Sequence, residues 1–187
     1  GDLNAPVATP ISAISDSIPQ PAKVVDVSGN PCSLTDTGYV LCWGHDSMGG
    51  CGQPQFMSNI GDNEHPSSFP PLQFTDDEQV VQIDGAVNFT CAVLTSGRIN
   101  CWGSDDSGAL GHPGVTDATE TPASYGVVDV GGPVASITTG HFHACALLTD
   151  NTVRCWGLND FGQLGLGHTD EIGDNEDPAD APTVQIF

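Results

Sequence analysis

Cysteine offers the most chemistry in this 187-residue chain, and its seven copies are not scattered. Six of them form pairs at one spacing: Cys32 with Cys42, Cys91 with Cys101, and Cys145 with Cys155, each separated by nine residues. Zinc or redox chemistry would need C-x-x-C or a Cys/His cluster, and haem attachment would need C-x-x-C-H; the sequence has none of these. A nine-residue gap across a hairpin instead puts both sulfurs on one face at cross-strand distance, so the spacing predicts disulfides Cys32–Cys42, Cys91–Cys101 and Cys145–Cys155. The competing reading is three pairs of reduced, buried thiols. Bridges closing loops this short contribute about 2 to 3 kcal/mol each and place the chain outside a reducing cytosol. Cys51, in MGGCGQP, is left over as either a free thiol or an intermolecular thiol joining two chains.

Carboxylates come next. The loops NIGDNEHPSS and EIGDNEDPAD bring Asp62, Asn63 and Glu64, and likewise Asp174, Asn175 and Glu176, close together as hard oxygen donors. Calcium accepts such donors, although the spacing is not that of an EF-hand, and the competing reading is acid-capped turns before proline. His141 and His143 share a strand face without an opposing third ligand, which points to packing rather than metal. Asn88-Phe89-Thr90 fits an N-glycosylation acceptor. There is no G-x-S-x-G, no P-loop, and no Cys/His pair left for nucleophilic catalysis once the cysteines are bridged. The chain therefore reads as a non-enzyme with no cofactor beyond possible calcium.

The elements that hold these residues are hairpins. The segments CSLTDTGYVLCWG, CAVLTSGRINCWG and CALLTDNTVRCWG, at 32–44, 91–103 and 145–157, keep cysteines, turn residue, tryptophan and glycine in step. With Cys91 opposite Cys101, Val93 faces Ile99 and Thr95-Ser96-Gly97 forms a three-residue loop. Such a loop needs positive φ at its third position, and the copies supply Gly38, Gly97 and Asn151 there. Alternation puts Cys91, Val93, Ile99 and Cys101 on one face and Ala92, Leu94 and Trp102 on the other. A sheet apolar on both faces needs cover on both.

The hairpins recur about 55 residues apart, a period that suits four-stranded propeller blades. Blade 1 is expected at about 23–79 with a first strand at Val24 to Val27, blade 2 at about 80–133 starting near Val80, and blade 3 at about 134–180 starting near Val134. Residues 1–22, rich in Pro, Ser and Ala, form an extension or arm outside the single repeat domain at 23–187. A short strand is expected after each acidic loop: Leu72 to Phe74, Val127 to Val130, and Val184 to Phe187, the last as the start of a next blade. Trp43, Trp102 and Trp156 recur with the repeat and are assigned to blade packing.

The string G-H-x-H-x-C-A-L-L-x-D-x-x-V-x-C-W-G-x-N-x-x-G-Q-L-G, from Gly140 to Gly165, resembles the repeat of the regulator of chromosome condensation family. The resemblance implies β-propeller blades, usually seven, and the paired cysteines with GDNE loops look like a bacterial, exported branch. Seven blades need about twice this length, so the fold expected is all-β, a propeller-type array of about three blades incomplete as one ring. A fragment, a ring completed by a second copy, and open units docked head to tail all satisfy that count.

Charge narrows the partners. With 24 Asp and Glu against 3 Lys and Arg, the formal net charge is -21, which disfavours nucleic acid and anionic lipid. The apolar runs are too short to span a membrane, and the Gly1-Asp2-Leu3 start reads as a processed export product. The expectation is thus a secreted or cell-surface structural protein that contacts copies of itself or another extracellular protein, through open edges or strand exchange, in a ring or filament. The alternative is a monomeric protein- or glycan-binding module of inhibitor or adhesin type.

Overall fold

The computed structural model describes residues 21–25, 30–46, 48–53, 59–86, 89–115 and 121–186. Among them, nine of the strands form three antiparallel sheets of three. The first holds β1 (Pro21–Val25), β2 (Cys32–Thr35) and β3 (Val40–Cys42), and a two-stranded ribbon of β4 (Gly44–His45) and β5 (Asn59–Ile60) follows it. The second holds β6 (Val80–Ala86), β7 (Phe89–Leu94) and β8 (Ile99–Gly103), and the third β9 (Val134–Thr139), β10 (His143–Leu148) and β11 (Val153–Gly157). One helical turn, α1 (Pro122–Tyr125), lies between the second and third sheets in sequence. The sheets do not close into a barrel, and the architecture is that of an incomplete propeller.

The hairpins have the register that their cysteines dictate. Cys32 pairs with Cys42, Cys91 with Cys101, and Cys145 with Cys155 across neighbouring strands, and each pair is disulfide-bonded. Each loop closes as turn chemistry requires: Leu94 N–H donates to Arg98 O at 2.8 Å, and Gly97 N–H to Leu94 O at 2.9 Å. Gly38 and Gly97 both sit at φ 83° and Asn151 at φ 70°, the left-handed conformation that the third loop position demands.

Three differences from the sequence reading are physical. The first strand runs Pro21–Val25 rather than from Val24, so residues 21 and 22 belong to a sheet and not to the arm; residues 1–20, 26–29, Asn88 and Phe187 lie outside the described residues. Leu72 to Phe74, Val127 to Val130 and Val184 to Ile186 are not strands. Each instead runs along the third strand of its own sheet and donates one backbone bond to it: Leu72 to Val40 O at 2.9 Å, Val128 to Ile99 O at 2.9 Å, and Val184 to Val153 O at 3.0 Å. One bond per segment is too sparse for a ladder, and the segment around Val184 therefore fastens to the blade it follows, not to the start of a next one.

The core lies between blades. The disulfide face of the first blade, with Leu34 and Val40, packs on Val80, Ile83, Ala92, Leu94 and Trp102 of the second. The disulfide face of the second, with Val93 and Ile99, packs in turn on Ile137, Ala146, Leu148 and Trp156 of the third. Hairpins apolar on both faces are therefore satisfied by stacking, disulfide face on tryptophan face.

Candidate functional site

The blade-to-blade contact is built from a few repeated devices. Trp102 and Trp156 are fully buried, and each indole N–H reaches back to the preceding blade: Trp102 donates to Gly50 O at 3.1 Å and Trp156 to Ala109 O at 3.0 Å. The accepting carbonyls lie in a tight loop after each W-G pair. That loop is held by an acid or amide three residues beyond the tryptophan. Asp46 accepts from Cys51 N–H at 2.9 Å, Asp105 from Leu110 N–H at 3.0 Å, and Asn159 from Leu164 N–H at 3.1 Å. The sequence carried this signal as W-G-H-D, W-G-S-D and W-G-L-N, and the cysteine reading passed over it.

First strands of successive blades are clipped by side chains. The Gln82 amide donates to Ile137 O at 2.7 Å and accepts from Ile137 N–H at 3.2 Å, imitating a strand neighbour. Asp84 accepts from Thr139 N–H at 2.7 Å and from its hydroxyl at 3.1 Å. Between the first two blades, Lys23, which holds the position of Gln82, donates to Ile83 O at 3.2 Å. Asn100 and Arg154, equivalent residues on β8 and β11, fasten the outer segments by hydrogen bonds to Gly126 O and Ala181 O.

Burial tunes the acids in these loops. Desolvation, reinforced by Asp106 and Asp174 and opposed by the Leu110 bond, pushes the Asp105 carboxyl up to about 6. Burial also raises Asp46. Cys51 is a fully buried free thiol whose pKa burial, followed by the Asp46 charge, pushes up to about 12. A bridge between chains would require that sulfur at the surface. Glu78 goes the other way: some desolvation raises it, but hydrogen bonds from Arg98, Ser96 and Thr95 outweigh this and bring it down to about 2.

The other predicted residues are brought together less than their sequence suggests. In the first acidic loop Glu64 accepts from Gly61 N–H at 2.9 Å and Asp62 from the Asn59 amide at 3.4 Å; in the third, Asp174 accepts from the Asn175 amide at 2.6 Å. Glu64 thus caps a turn, while Asp62 and Asp174 hold neighbouring side-chain amides. Among the described residues no group of three or more His, Cys, Asp or Glu side chains is placed to hold a metal ion. His141 is exposed and His143 half-buried, with burial lowering the His143 pKa. Among the described residues no helix is long and apolar enough to cross a membrane.

Among the described residues, the outer faces of the first and third blades are less covered than the faces between blades. Ile83 and Ile137 hold equivalent positions on the first strands of blades 2 and 3 and are 0% and 4% exposed, whereas Val24, their counterpart in blade 1, is 59% exposed. On the opposite face Leu34 and Val93 are 6% and 2% exposed, and their counterpart Leu147 in blade 3 is 39% exposed. Trp43 is only half-buried, unlike Trp102 and Trp156. Sequence reasoning foresaw open faces in general but did not single out Val24 or Leu147.

Comparison with known proteins agrees with the repeat. The regulator of chromosome condensation (RCC1) repeat matches residues 80–109 and 134–163. The ultraviolet-B receptor UVR8 of Arabidopsis thaliana is 31% identical over 158 residues, which cover 81% of this chain and 33% of the receptor. The human E3 ubiquitin-protein ligase HERC2 is 30% identical over 155 residues, 80% of this chain and 3% of the ligase. The chain thus spans a third or less of the length of these relatives. Among solved structures, Prp20p from Saccharomyces cerevisiae superposes with a TM-score of 0.70 at 14% identity, covering 88% of this chain and 38% of that one. Human WBSCR16 superposes at 0.68 and 24% identity, covering 87% and 38%. Two of the three hairpin units, at 80–109 and 134–163, are accordingly similar to the regulator of chromosome condensation repeat.

Proposed function

We propose that this chain is a non-catalytic protein-contact module of an oxidising, extracellular setting, and that its contacts are with copies of itself. The observation that carries the reading is the apolar surface among the described residues at Val24 and Leu147, 59% and 39% exposed where their counterparts in the other blades are buried. An apolar blade face left open to water favours association, at about 25 cal/mol per Å² removed from solvent. Three hairpin disulfides suit an oxidising compartment. The similarity to RCC1-type repeats supports an interaction surface rather than a catalytic one. A net charge of -21 opposes association, so the contact strengthens with salt. Multi-angle light scattering of the purified chain over a range of concentration and salt tests the reading. The expected result is a mass that rises with both; a single monomeric mass throughout refutes it.

A further inference from the structure

Two neighbouring cavities open on the rim opposite the W-G loops, one where blade 1 meets blade 2 and one where blade 2 meets blade 3. Each is walled by a hairpin loop, the outer segment of the same sheet and the run-in to the next sheet. The first, about 400 Å³, is polar, with Tyr39, Gln73, Asp77, Glu78 and Gln79 in its lining. The second, about 380 Å³, is apolar, with Ile99, Val127, Val128, Val130 and Pro133 in its lining, and the first, third and fourth of these are buried. Both cavities lie within 38–133, away from either end of the chain.

The wall between them is an ion pair. Glu78 lines the first cavity and Arg98 the second, and Arg98 pairs with Glu78 and, at 2.8 Å, with Asp76. Asp76 and Asp77 both take left-handed backbone, at φ 57° and 55°, a conformation that penalises any residue carrying a Cβ. Asp77 stands three residues before Val80, where the next blade has Gly131 three before Val134, at φ 82° and free of that penalty. Asp76 holds Arg98 from its strained position. The Asp77 carboxylate has no hydrogen-bond or ion-pair partner among the described residues, and it lines the first cavity. A charged residue kept where glycine would fit better, with no partner in the fold, points to a partner from outside.

We propose that the paired cavities bind a polypeptide segment of another protein that carries an aliphatic side chain close to a lysine or arginine, the aliphatic group on Ile99, Val128 and Val130 and the cation beside Asp77. Charge complementarity selects the cation, since Asp77 and Glu78 line that cavity in a chain with 24 Asp and Glu against 3 Lys and Arg. A second copy of this chain does not supply it, because all three of its cations are bonded already. Lys23 donates to Ile83 O, Arg98 to Asp76 and Glu78, and Arg154 to Pro178 O and Ala181 O. The site therefore stands apart from self-contact.

The test is fluorescence anisotropy with short labelled Gly/Ser peptides holding one leucine and one lysine, adjacent or up to two residues apart, at about 0.15 M salt. At least one spacing is expected to bind saturably, with a Kd below about 1 mM. Replacing its leucine by serine should weaken it about tenfold or more, and replacing its lysine by glutamate should abolish binding. In the protein, Asp77→Gly should weaken the same peptide about two- to fivefold. The same variant should unfold at higher urea, because glycine suits that backbone, so lost binding cannot come from lost folding. Val127→Ser should weaken the leucine peptide as well. No saturable binding at any spacing, affinity that follows lysine alone, or affinity unchanged in Asp77→Gly overturns the proposal.

Discussion

Replacing Asp105 by Asn is expected to stabilise the protein at neutral pH. The Asp105 carboxyl caps the loop that receives Trp156, and its burial among Asp106 and Asp174 lifts it from the ordinary 3.8 to about 6. A group whose folded pKa lies above its unfolded value binds protons more readily in the folded state. Its contribution is therefore most favourable below about pH 4 and is lost as pH rises through 6. At pH 7 the folded chain holds a carboxylate where a neutral group would be better. The full gap corresponds to about 3 kcal/mol, and partial exposure of the carboxyl screens this to about 1–2 kcal/mol. Blade 3 shows that the substitution is structurally sound: Asn159 keeps the same acceptor to Leu164 N–H and adds amide bonds to His168 O at 3.0 Å and Asp170 O at 2.8 Å. Calorimetry at pH 7 should show Tm raised by roughly 2–8 °C for a chain of this size. Between pH 6 and 4 the wild type should gain on the variant until the difference vanishes. A variant less stable than wild type at pH 7, or a difference independent of pH, would refute the reasoning.

Other perturbations follow from the same contacts. Glu78→Gln is expected to cost less than about 1 kcal/mol at pH 7, because the Arg98 and Ser96 partners are largely solvated; with Glu78 depressed to about 2, its contribution is lost as pH falls from about 4.5 to 2, so urea melts of variant and wild type should converge at the acid end. Gly111→Ala and Gly162→Ala impose the same left-handed strain, at φ 70° and 73°, but only the former drives a Cβ into Trp156 and Val128. Gly111→Ala should therefore unfold at lower urea, with an excess cost of about 1–3 kcal/mol, and equal costs would argue against that close contact. Native Cys51 should resist iodoacetamide at pH 8 and react in denaturant, since its thiol is buried and its pKa is pushed up to about 12.

The hairpins were legible because local chemistry over-determines them. Cysteine spacing, a positive-φ residue at the third loop position and strict alternation all agree on one register, which is the condition for a sequence to specify structure without tertiary help. The starts of β6 at Val80 and β9 at Val134 were legible for the same reason. The outer segments were not: Leu72, Val128 and Val184 read as strands by composition, yet each makes one backbone bond to its sheet, and fastening falls to side chains such as Asn100 and Arg154. Gln82 and Asp84 were invisible because a side chain imitating a strand neighbour leaves no periodic trace. The acidic loops drew attention as oxygen donors for calcium. A packing signal that no count of oxygen donors would find in them is the backbone of Gly173 against Gly108.

The fold is built from a unit used three times, a hairpin stitched by its own disulfide and stacked on the next. A peptide map of the non-reduced protein by mass spectrometry tests that unit most directly. It should return Cys32–Cys42, Cys91–Cys101 and Cys145–Cys155 as linked peptides within one chain, with Cys51 unlinked. Seven free thiols, or bridges that join different hairpins, would contradict it.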